Sequence, residues 1–376
     1  MHILTVIGTR PEAIKLAPVI KQFKRGGAST DVHVCVTGQH REMLDQMLRM
    51  FEIEPDIDLD IMRPRQTPSQ VAALVLERLD PVLADLEPDW VVVQGDTTTV
   101  MASAIAAHYR RIKVAHVEAG LRSYDRENPF PEEMNRVVAD HVSDVHFAPT
   151  TRAKRNLLQE AIGPESIFVT GNTVIDALED IKDSPPTSEY LNLPIPDTEN
   201  LILVTAHRRE NHGKPLLSIC DALSEIAVRD DVHIVYIVHK NPDVWYPVQN
   251  RLDGDDNITL LSPVDYPTMI KLMDRSKIIL TDSGGIQEEA PTLGTPVLVL
   301  RAVTERPEAV EAGVARVVGT DSMNIVKEVY SLLDNAESYR DMAKARNPYG
   351  DGRAAERIAG ILAAGGTLPV GMSEWT

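Results

Sequence analysis

Residues 279–300 read ILTDSGGIQEEAPTLGTPVLVL, and this stretch contains the pattern from which the fold can be inferred. Its apolar start and its apolar end each predict a short buried strand. The DSGG turn follows the first strand, and the adjacent acids Glu288 and Glu289 predict that a helix opens there, because carboxylates complement a helix N-terminus. A glycine pair between a strand and a helix is typical of a turn that binds an anion.

The same alternation of short apolar runs and longer helical patterns extends along the whole chain. Strands rich in valine and isoleucine that alternate with helices predict βαβ units and a parallel sheet covered on both faces. The predicted strands are 3–7, 32–37, 90–94, 113–117, 145–148 and 167–170 in the first half, and 201–205, 232–238, 258–261, 277–281, 297–300 and 314–318 in the second half.

The segment 183–200, DSPPTSEYLNLPIPDTEN, interrupts this alternation. Its prolines cannot continue a helix, so it is the best candidate for a linker. The sequence therefore predicts an α/β protein with two Rossmann-like, doubly wound domains, at 1–182 and 201–350. Ligands of such sheets bind outside the carboxyl ends of the strands, and we expect a central cleft that both domains face.

The composition excludes several classes of protein. A chain of 376 residues with net charge −18 has the profile of an acidic globular enzyme, which argues against nucleic-acid and anionic-membrane binding. The apolar start MHILTVIG is too short for a signal peptide, and no run is long enough to span a membrane, so we expect a cytoplasmic protein. Neither the spacing of the two cysteines nor any histidine motif predicts a metal site.

Charged side chains follow several predicted strands of the first half. Arg10 and Lys15 lie at the start of the first helix, Asp96 follows the third strand, and Glu118 follows the fourth. Glu132 begins a later helix after a proline. A helix cap or a solvated surface explains the other residues alone, whereas a glutamate directly after a buried strand and before Ala-Gly, as at position 118, is a poor structural choice and favours function. Structure also does not explain why three separate loops deliver a carboxylate to one sheet edge.

In the second half, basic residues cluster after the first strand. His207, Arg208 and Arg209 stand in succession with His212 just beyond, and such a cluster in an acidic protein predicts an anion pocket. His239 ends the next strand, where a lone histidine is more often structural.

The SGG turn of the opening stretch fits the same pocket. The backbone N–H groups of Gly284 and Gly285, with the hydroxyl of Ser283, can bind a diphosphate. A carboxylate such as Glu289 would repel phosphate but accepts hydrogen bonds from a ribose diol, so the stretch predicts a nucleoside diphosphate. Neither a Walker loop nor a GxGxxG turn after the first strand is present, so we expect no nicotinamide cofactor.

Ten segments together resemble the non-hydrolysing UDP-N-acetylglucosamine 2-epimerases, in the expected order and over nearly the whole chain. They are GTRPEAIKLAP, TGQHREMLDQ, QGDTTTVMAS, HVEAGLRS, PFPEEMNR, GNTVIDAL, HRREN, TDSGGIQEEAPTLGTPVLVLR, TERPEA and NPYGDG. The resemblance implies a glycosyltransferase-B-like fold, in which the terminal segment 351–376 forms a helix that packs back on the first domain. It also implies catalytic acids in the first domain and a UDP site in the second.

The activity that the resemblance implies is the interconversion of UDP-N-acetylglucosamine and UDP-N-acetylmannosamine, which supplies surface polysaccharide synthesis. The family eliminates UDP to give a 2-acetamidoglucal and then adds it back, without a metal or other cofactor. The residues on catalytic family positions are Asp96, Glu118, Glu132, His207 and Lys15. The residues on substrate-binding positions are Arg10, Arg136, Arg208, Ser283, Gly284, Gly285 and Glu289. Which acid removes the proton at carbon 2 and which returns it stays open.

Many members of this family bind a second UDP-N-acetylglucosamine as an activator. The corresponding residues here are Gln39, Arg41, Gln46 and His239, so the resemblance implies allosteric activation. It also implies a homodimer.

Three other functions compete with this reading. A hydrolysing epimerase would release UDP and free N-acetylmannosamine after the same first steps. A nucleotide-sugar glycosyltransferase could use the same fold, although three acidic loop ends and the lack of an acceptor-binding or membrane-binding basic patch argue against it. A non-catalytic nucleotide-sugar sensor would require the loss of at least one of the three acids.

Overall fold

The chain forms two compact units in a computed structural model that describes residues 1–26, 30–38, 41–63 and 65–376, without the side chains of 41–43. One unit comprises 1–177 together with 349–376, and the other comprises 178–348. The division falls inside a helix, and the segment 183–200 belongs to the second unit.

In its described residues, the first unit has a sheet of seven parallel strands in the order β3-β2-β1-β4-β5-β6-β7. The strands are β1 (His2–Ile7), β2 (Asp31–Val36), β3 (Ile57–Asp58), β4 (Trp90–Gln94), β5 (Lys113–Val117), β6 (Val145–Ala148) and β7 (Ile167–Val169). The helices are α1 (Arg10–Arg25), α2 (Arg41–Met50), α3 (Pro68–Leu86), α4 (Thr98–Tyr109), α5 (Glu132–Val142), α6 (Thr151–Gln159) and α7 (Thr173–Lys182).

The second unit repeats this architecture, with six described parallel strands in the order β10-β9-β8-β11-β12-β13. They are β8 (Asn200–Thr205), β9 (Val232–Ile237), β10 (Ile258–Leu261), β11 (Ile278–Thr281), β12 (Val297–Val299) and β13 (Ala315–Val317). The helices are α8 (Ser188–Leu191), α9 (Lys214–Ile226), α10 (Pro242–Leu252), α11 (Tyr266–Arg275), α12 (Gly284–Glu289), α13 (Pro307–Glu311), α14 (Ser322–Asp334) and α15 (Ala336–Lys344). A last helix, α16 (Ala354–Ala363), returns to the first unit.

The predicted fold class is confirmed, and the burial of the strands shows why the pattern was readable. Every residue of β4 and of β9 is buried, because helices cover both faces of each sheet. In each sheet the chain adds strands outward in one direction and then in the other. The switch lies between β1 and β4 in the first sheet and between β8 and β11 in the second. Ligands of doubly wound sheets bind at such reversal points. Within the described residues, no helix combines the length and apolar character needed to cross a bilayer.

The expectation that Glu288 and Glu289 open a helix is wrong. α12 begins at Gly284, directly after Ser283, so the two acids lie at its end. Carboxylates at a helix C-terminus are unfavourable for the dipole, and other partners must compensate. Arg306 provides one, because its Nε donates to Glu288 Oε1 at 2.5 Å.

The last helix is held in the first unit by a buried aspartate. Asp176 on α7 accepts hydrogen bonds from the backbone N–H groups of Ala354 (3.2 Å) and Ala355 (2.8 Å), at the start of α16. α16 packs against α1, and the backbone N–H of Trp375 donates to Val169 O at 2.8 Å. α16 and Trp375 are therefore packed into the first unit.

Replacement of Asp176 by alanine is expected to lower the free energy of unfolding by about 2 kcal/mol, because two N–H groups at the start of α16 lose their acceptor. Burial raises the pKa of Asp176 to about 7, so its stabilisation is lost as pH rises through that value, and urea unfolding at pH 5 compares the protonated carboxyl, whose oxygens still accept, with its absence. Asp85→Ala on the exposed face of α3 is the control, with an expected change below about 0.5 kcal/mol. Equal stability of both variants would contradict the capping role.

Candidate active site

The site of the first unit is built at the carboxyl ends of β4 and β5. These strands pair in register, with Gln94 opposite Val117, so the loop that carries Asp96 and the residue Glu118 emerge side by side. Glu118 has a backbone φ of 65°, a left-handed conformation that is uncommon for a residue with a side chain. Such backbone strain is concentrated at functional sites.

Glu118 lies between two donors from neighbouring elements. Lys15 on α1 forms a short ion pair with Glu118 Oε2, and Gln94 Nε2 donates to the same oxygen at 3.0 Å. The side chains of Lys15 and Glu118 are 15% and 8% exposed. The sequence named Lys15 and Glu118 separately, and the structure brings them into direct contact.

Asp96 lies near two cations, Arg136 and Lys15, and near a second acid, Glu132. Arg136 Nη1 lies 3.3 Å from Asp96 Oδ2. Partial burial raises the pKa of Asp96, and the nearby carboxylate of Glu132 raises it further, whereas Arg136 and Lys15 lower it; the net direction is upward. Lys15, Asp96, Glu118 and Glu132 thus form one electrostatic cluster.

The two glutamates at the start of α5 have different surroundings. Glu133 is buried, and its carboxylate accepts from the backbone N–H groups of Ser123 and Tyr124 and from Arg136 Nε at 2.8 Å. Glu132 is only half-buried. Glu133 therefore holds the 118–124 loop against α5, while Glu132 is accessible.

A buried network behind these loops was missed by the sequence reasoning. His116 Nδ1 lies 2.6 Å from Asp140 Oδ1, and His116 Nε2 lies 2.7 Å from the carbonyl oxygen of Gly95. Both partners are acceptors, so both ring nitrogens donate and the ring is an imidazolium. Burial opposes this charge, but Asp140 and the Gly95 carbonyl raise the pKa of His116.

Asp140 has a second cationic partner in Arg122, whose Nη2 lies 2.7 Å from Asp140 Oδ2. Burial alone would raise the pKa of Asp140, but His116 and Arg122 outweigh it and lower the pKa to about 2. The same carboxylate accepts from Gly120 N at 3.2 Å. Gly120 has φ 85°, and a Cβ there would lie 2.4 Å from the carbonyl oxygen of Ala153, so only glycine fits. Arg122, which is buried and paired with Asp140, therefore has a structural role.

Glu12 is a further buried acid that the sequence did not single out. It accepts from Gly8 N at 2.6 Å and from Thr9 Oγ1 at 3.0 Å, and it also bonds the side chain of Thr97. The loop after β1 and the loop after β4 are therefore joined through one carboxyl group. Arg10, at the start of α1, is half-buried beside this junction.

In the second unit, the predicted basic loop follows β8. His207 stacks on His239, with ring centroids 5.6 Å apart and planes inclined by 16°. Asp282, at the end of β11, accepts from the backbone N–H groups of both His207 and Arg208 at 2.8 Å. The two strand ends at the reversal point are thus tied to each other. Asp282 was not among the predicted site residues, although it directly precedes the SGG turn in sequence.

The SGG turn lies against two guanidinium groups. A Cβ on Gly284 would lie 3.6 Å from Arg306 Cζ and 3.9 Å from an Arg208 nitrogen, so the turn and both arginines share one small region. Arg306 was not predicted. Glu289 Oε1 accepts from Tyr266 Oη at 2.7 Å. The region combines positive charge, exposed backbone at Gly285 and a buried carboxylate, which suits an anion joined to a polar, uncharged group.

Two of the predicted activator residues, Gln39 and the side chain of Arg41, lie outside the described residues. Gln46 is exposed on α2, and His239 is exposed at the end of β9.

Two all-parallel units, each with charged loops at the carboxyl ends of its strands, define an α/β protein of glycosyltransferase-B-like type. A structure of the glycotransferase of kitacinnamycin is similar with a TM-score of 0.64 over 98% of this chain and 99% of that chain, and at 14% identity it supports the fold alone.

Closer similarity identifies the family. The family model for UDP-N-acetylglucosamine 2-epimerase matches residues 24–363. The Salmonella typhimurium UDP-N-acetylglucosamine 2-epimerase is 51% identical over 370 residues, covering 96% of this chain and 98% of that protein. The crystal structure of UDP-GlcNAc 2-epimerase from Neisseria meningitidis bound to UDP-GlcNAc is 47% identical with a TM-score of 0.88, over 97% of this chain and 100% of that chain. The chain belongs to the UDP-N-acetylglucosamine 2-epimerase family.

Glu12 generates a prediction about pH and stability. Burial raises the pKa of Glu12 from 4.5 to about 7, so the folded protein binds this proton more tightly than the unfolded chain. The stabilisation is complete below about pH 4.5 and is lost as pH rises through about 7, by roughly 3 kcal/mol in total. In Glu12→Gln this component is absent.

Urea unfolding of both proteins between pH 4.5 and 8 tests this. The difference in unfolding free energy, wild type minus Glu12→Gln, is expected to fall with rising pH. A difference that stays constant across this range would show that Glu12 titrates normally.

Proposed function

We propose that this chain interconverts UDP-N-acetylglucosamine and UDP-N-acetylmannosamine without net hydrolysis. The observation that carries the proposal is the cluster of Lys15, Asp96, Glu118 and Glu132 at the reversal point of the first sheet. The binding of UDP-GlcNAc by the Neisseria meningitidis relative supports the substrate.

The chemistry explains why a cluster of acids is needed. The proton on carbon 2 of the sugar has no carbonyl group beside it, so its direct removal would leave an unstabilised carbanion. If the C2–H pair of electrons forms a C1=C2 double bond while the C1–O bond breaks, UDP carries the negative charge away. The product is a 2-acetamidoglucal. Re-addition of UDP at carbon 1, with a proton delivered to the opposite face of carbon 2, gives the epimer.

The contacts support different roles for the acids. Glu118 accepts from Lys15 and Gln94, which both favour its carboxylate form, so we assign it as a base. The raised pKa of Asp96 favours its protonated form and supports a role as proton donor. Partial burial is the main cause of that raised pKa and the charge of Glu132 adds to it, while Arg136 orients Asp96 through the 3.3 Å contact.

We assign the nucleotide to the second unit. Arg208, Arg306 and the backbone of Gly284 and Gly285 suit a diphosphate, and the hydroxyl of Ser283 adds a donor. Glu289 is suited to the ribose hydroxyls. His207 then lies beside the leaving phosphate, where a donor would stabilise the charge that develops as the C1–O bond breaks. The scheme uses no metal and no other cofactor.

Incubation of the protein with UDP-N-acetylglucosamine in heavy water tests the reaction. We expect UDP-N-acetylmannosamine that carries one deuterium at carbon 2, identified by NMR and mass spectrometry, with no accumulation of free N-acetylmannosamine. Glu118→Gln is expected to lower kcat by a factor of about 100 or more while UDP affinity is kept, since the nucleotide groups are unchanged.

Glu77→Gln, an exposed glutamate on α3, is the matched control and should keep wild-type turnover. Unlabelled product would exclude proton exchange at carbon 2. Free sugar as the main product would indicate a hydrolysing enzyme instead, and near-normal turnover of Glu118→Gln would remove that residue from the mechanism.

We also propose that a homodimer binds a second UDP-N-acetylglucosamine as activator, with Gln46 of the first unit among its contacts. Progress curves with pure UDP-N-acetylmannosamine as sole substrate are then expected to show a lag, which a trace of UDP-N-acetylglucosamine abolishes. Linear progress from the first turnover, unchanged by that trace, would contradict activation.

A further inference from the structure

Asp282 is a fully buried carboxylate at the end of β11, and one of its oxygens organises the loop after β8. Asp282 Oδ2 accepts three hydrogen bonds, from His207 N at 2.8 Å, from Arg208 N at 2.8 Å and from Asn211 Nδ2 at 2.9 Å. Asn211 Nδ2 also donates to the carbonyl oxygen of Leu300 at 3.0 Å. Three convergent donors require an oxygen atom at this position.

The other oxygen has a different environment. Within the part of the chain that the structure describes, Asp282 Oδ1 is buried and accepts no hydrogen bond. The His207 ring nitrogen Nδ1 lies 3.4 Å away, at the long end for an N–H···O contact. Such contacts in ligand-free sites commonly tighten when the ligand binds. A buried, unsatisfied carboxylate oxygen favours a proton on the nitrogen that faces it.

Which ring nitrogen of His207 carries the proton matters only when the ring is neutral, because both nitrogens of an imidazolium are protonated. Partial burial lowers the pKa of His207, the carboxylate of Asp282 raises it, and the neighbouring His239, Arg208 and His212 lower it again; the net direction is downward. The lowered pKa favours the neutral ring, and a neutral imidazole has one donor and one acceptor nitrogen.

We propose that Asp282 is a positioning residue that holds His207 in the tautomer protonated on Nδ1, which leaves Nε2 to interact with the nucleotide. The inference rests on the proposed function for the identity of that nucleotide. When a diphosphate binds, its negative charge favours uptake of one proton from solvent at Nε2. The resulting imidazolium donates Nε2–H to a phosphate oxygen and Nδ1–H to Asp282, so UDP departs from carbon 1 against a fixed positive charge.

Asp282→Asn separates this role from the support of the loop. The three donors at the Oδ2 position select the amide oxygen of asparagine, so the loop keeps its acceptor. The amide nitrogen must then take the place of Oδ1, where its N–H faces His207 Nδ1. His207 Nδ1 then accepts a hydrogen bond from this amide, and the ring proton of His207 moves to Nε2.

We expect kcat of Asp282→Asn to fall by a factor of about 100 or more, as in other sites where an aspartate sets a histidine tautomer. The affinity for UDP should change by less than about threefold, because the loop and the arginines are kept. The pH at which kcat/KM reports loss of the His207 proton should move downward, because the variant removes the negative charge of Asp282, which raises the pKa of His207 in the wild-type protein. Asp321→Asn, at the N-cap of α14 in the same unit, is the control and should keep wild-type kcat.

A second measurement is independent of catalysis and of the folding of the variant. In wild-type protein with ¹⁵N-labelled histidine, long-range ¹H–¹⁵N correlation at pH 8.5 should show His207 protonated on Nδ1, with the signal assigned through the spectrum of His207→Gln. A neutral His207 protonated on Nε2 would overturn the proposal, as would wild-type kcat in Asp282→Asn. Absence of epimerisation by the wild-type protein would instead overturn the proposed function, and the tautomer would still decide this inference.

Discussion

The buried carboxylate of Asp140 is the group on which the loops after β4 and β5 depend. An isolated charge in a protein interior is strongly destabilising, so Asp140 requires partners, and it finds them in His116, Arg122 and the backbone of Gly120. His116 passes the connection on to the carbonyl oxygen of Gly95, immediately before Asp96. One charge thereby fixes the ends of β4 and β5, where Asp96 and Glu118 stand.

The second unit uses the same principle at its own reversal point. Asp282 fixes the loop after β8 from the end of β11, as Asp140 fixes the ends of β4 and β5. In both units a buried acid accepts hydrogen bonds from backbone N–H groups and lies beside a histidine ring, and charged residues stand on the loops that it holds. A rigid loop brings a reactive group to its position without an entropic cost at the time of reaction, which is the advantage of a preorganised site.

Local charge, more than total charge, governs the candidate site. The chain carries a net charge of −18, yet Lys15 contacts Glu118, Arg136 contacts Asp96, and Arg208 and Arg306 flank the Gly284 turn. The cations keep a negatively charged substrate compatible with an acidic enzyme. The two acids also have unlike environments: Glu118 is paired with Lys15, whereas burial, and then the charge of Glu132, raise the pKa of Asp96. Two acids in unlike environments can give and take a proton at the same pH.

The sequence by itself determined the fold class, because the period of buried strands and amphipathic helices is a local property. It predicted twelve of the described strands within one or two residues and missed β3, whose two residues are too short to show a pattern. It also selected Asp96, Glu118 and His207 as functional candidates, since charged residues directly after buried strands are conspicuous along the chain, and the family resemblance added Lys15. Only the tertiary structure decided which of these touch, that α12 begins at Gly284, and that Glu12, His116, Asp140 and Asp282 support the loops. Their partners are distant in sequence or belong to the backbone, so no spacing rule reveals them. The chain has to fold before a buried carboxylate acquires the donors that give it a role.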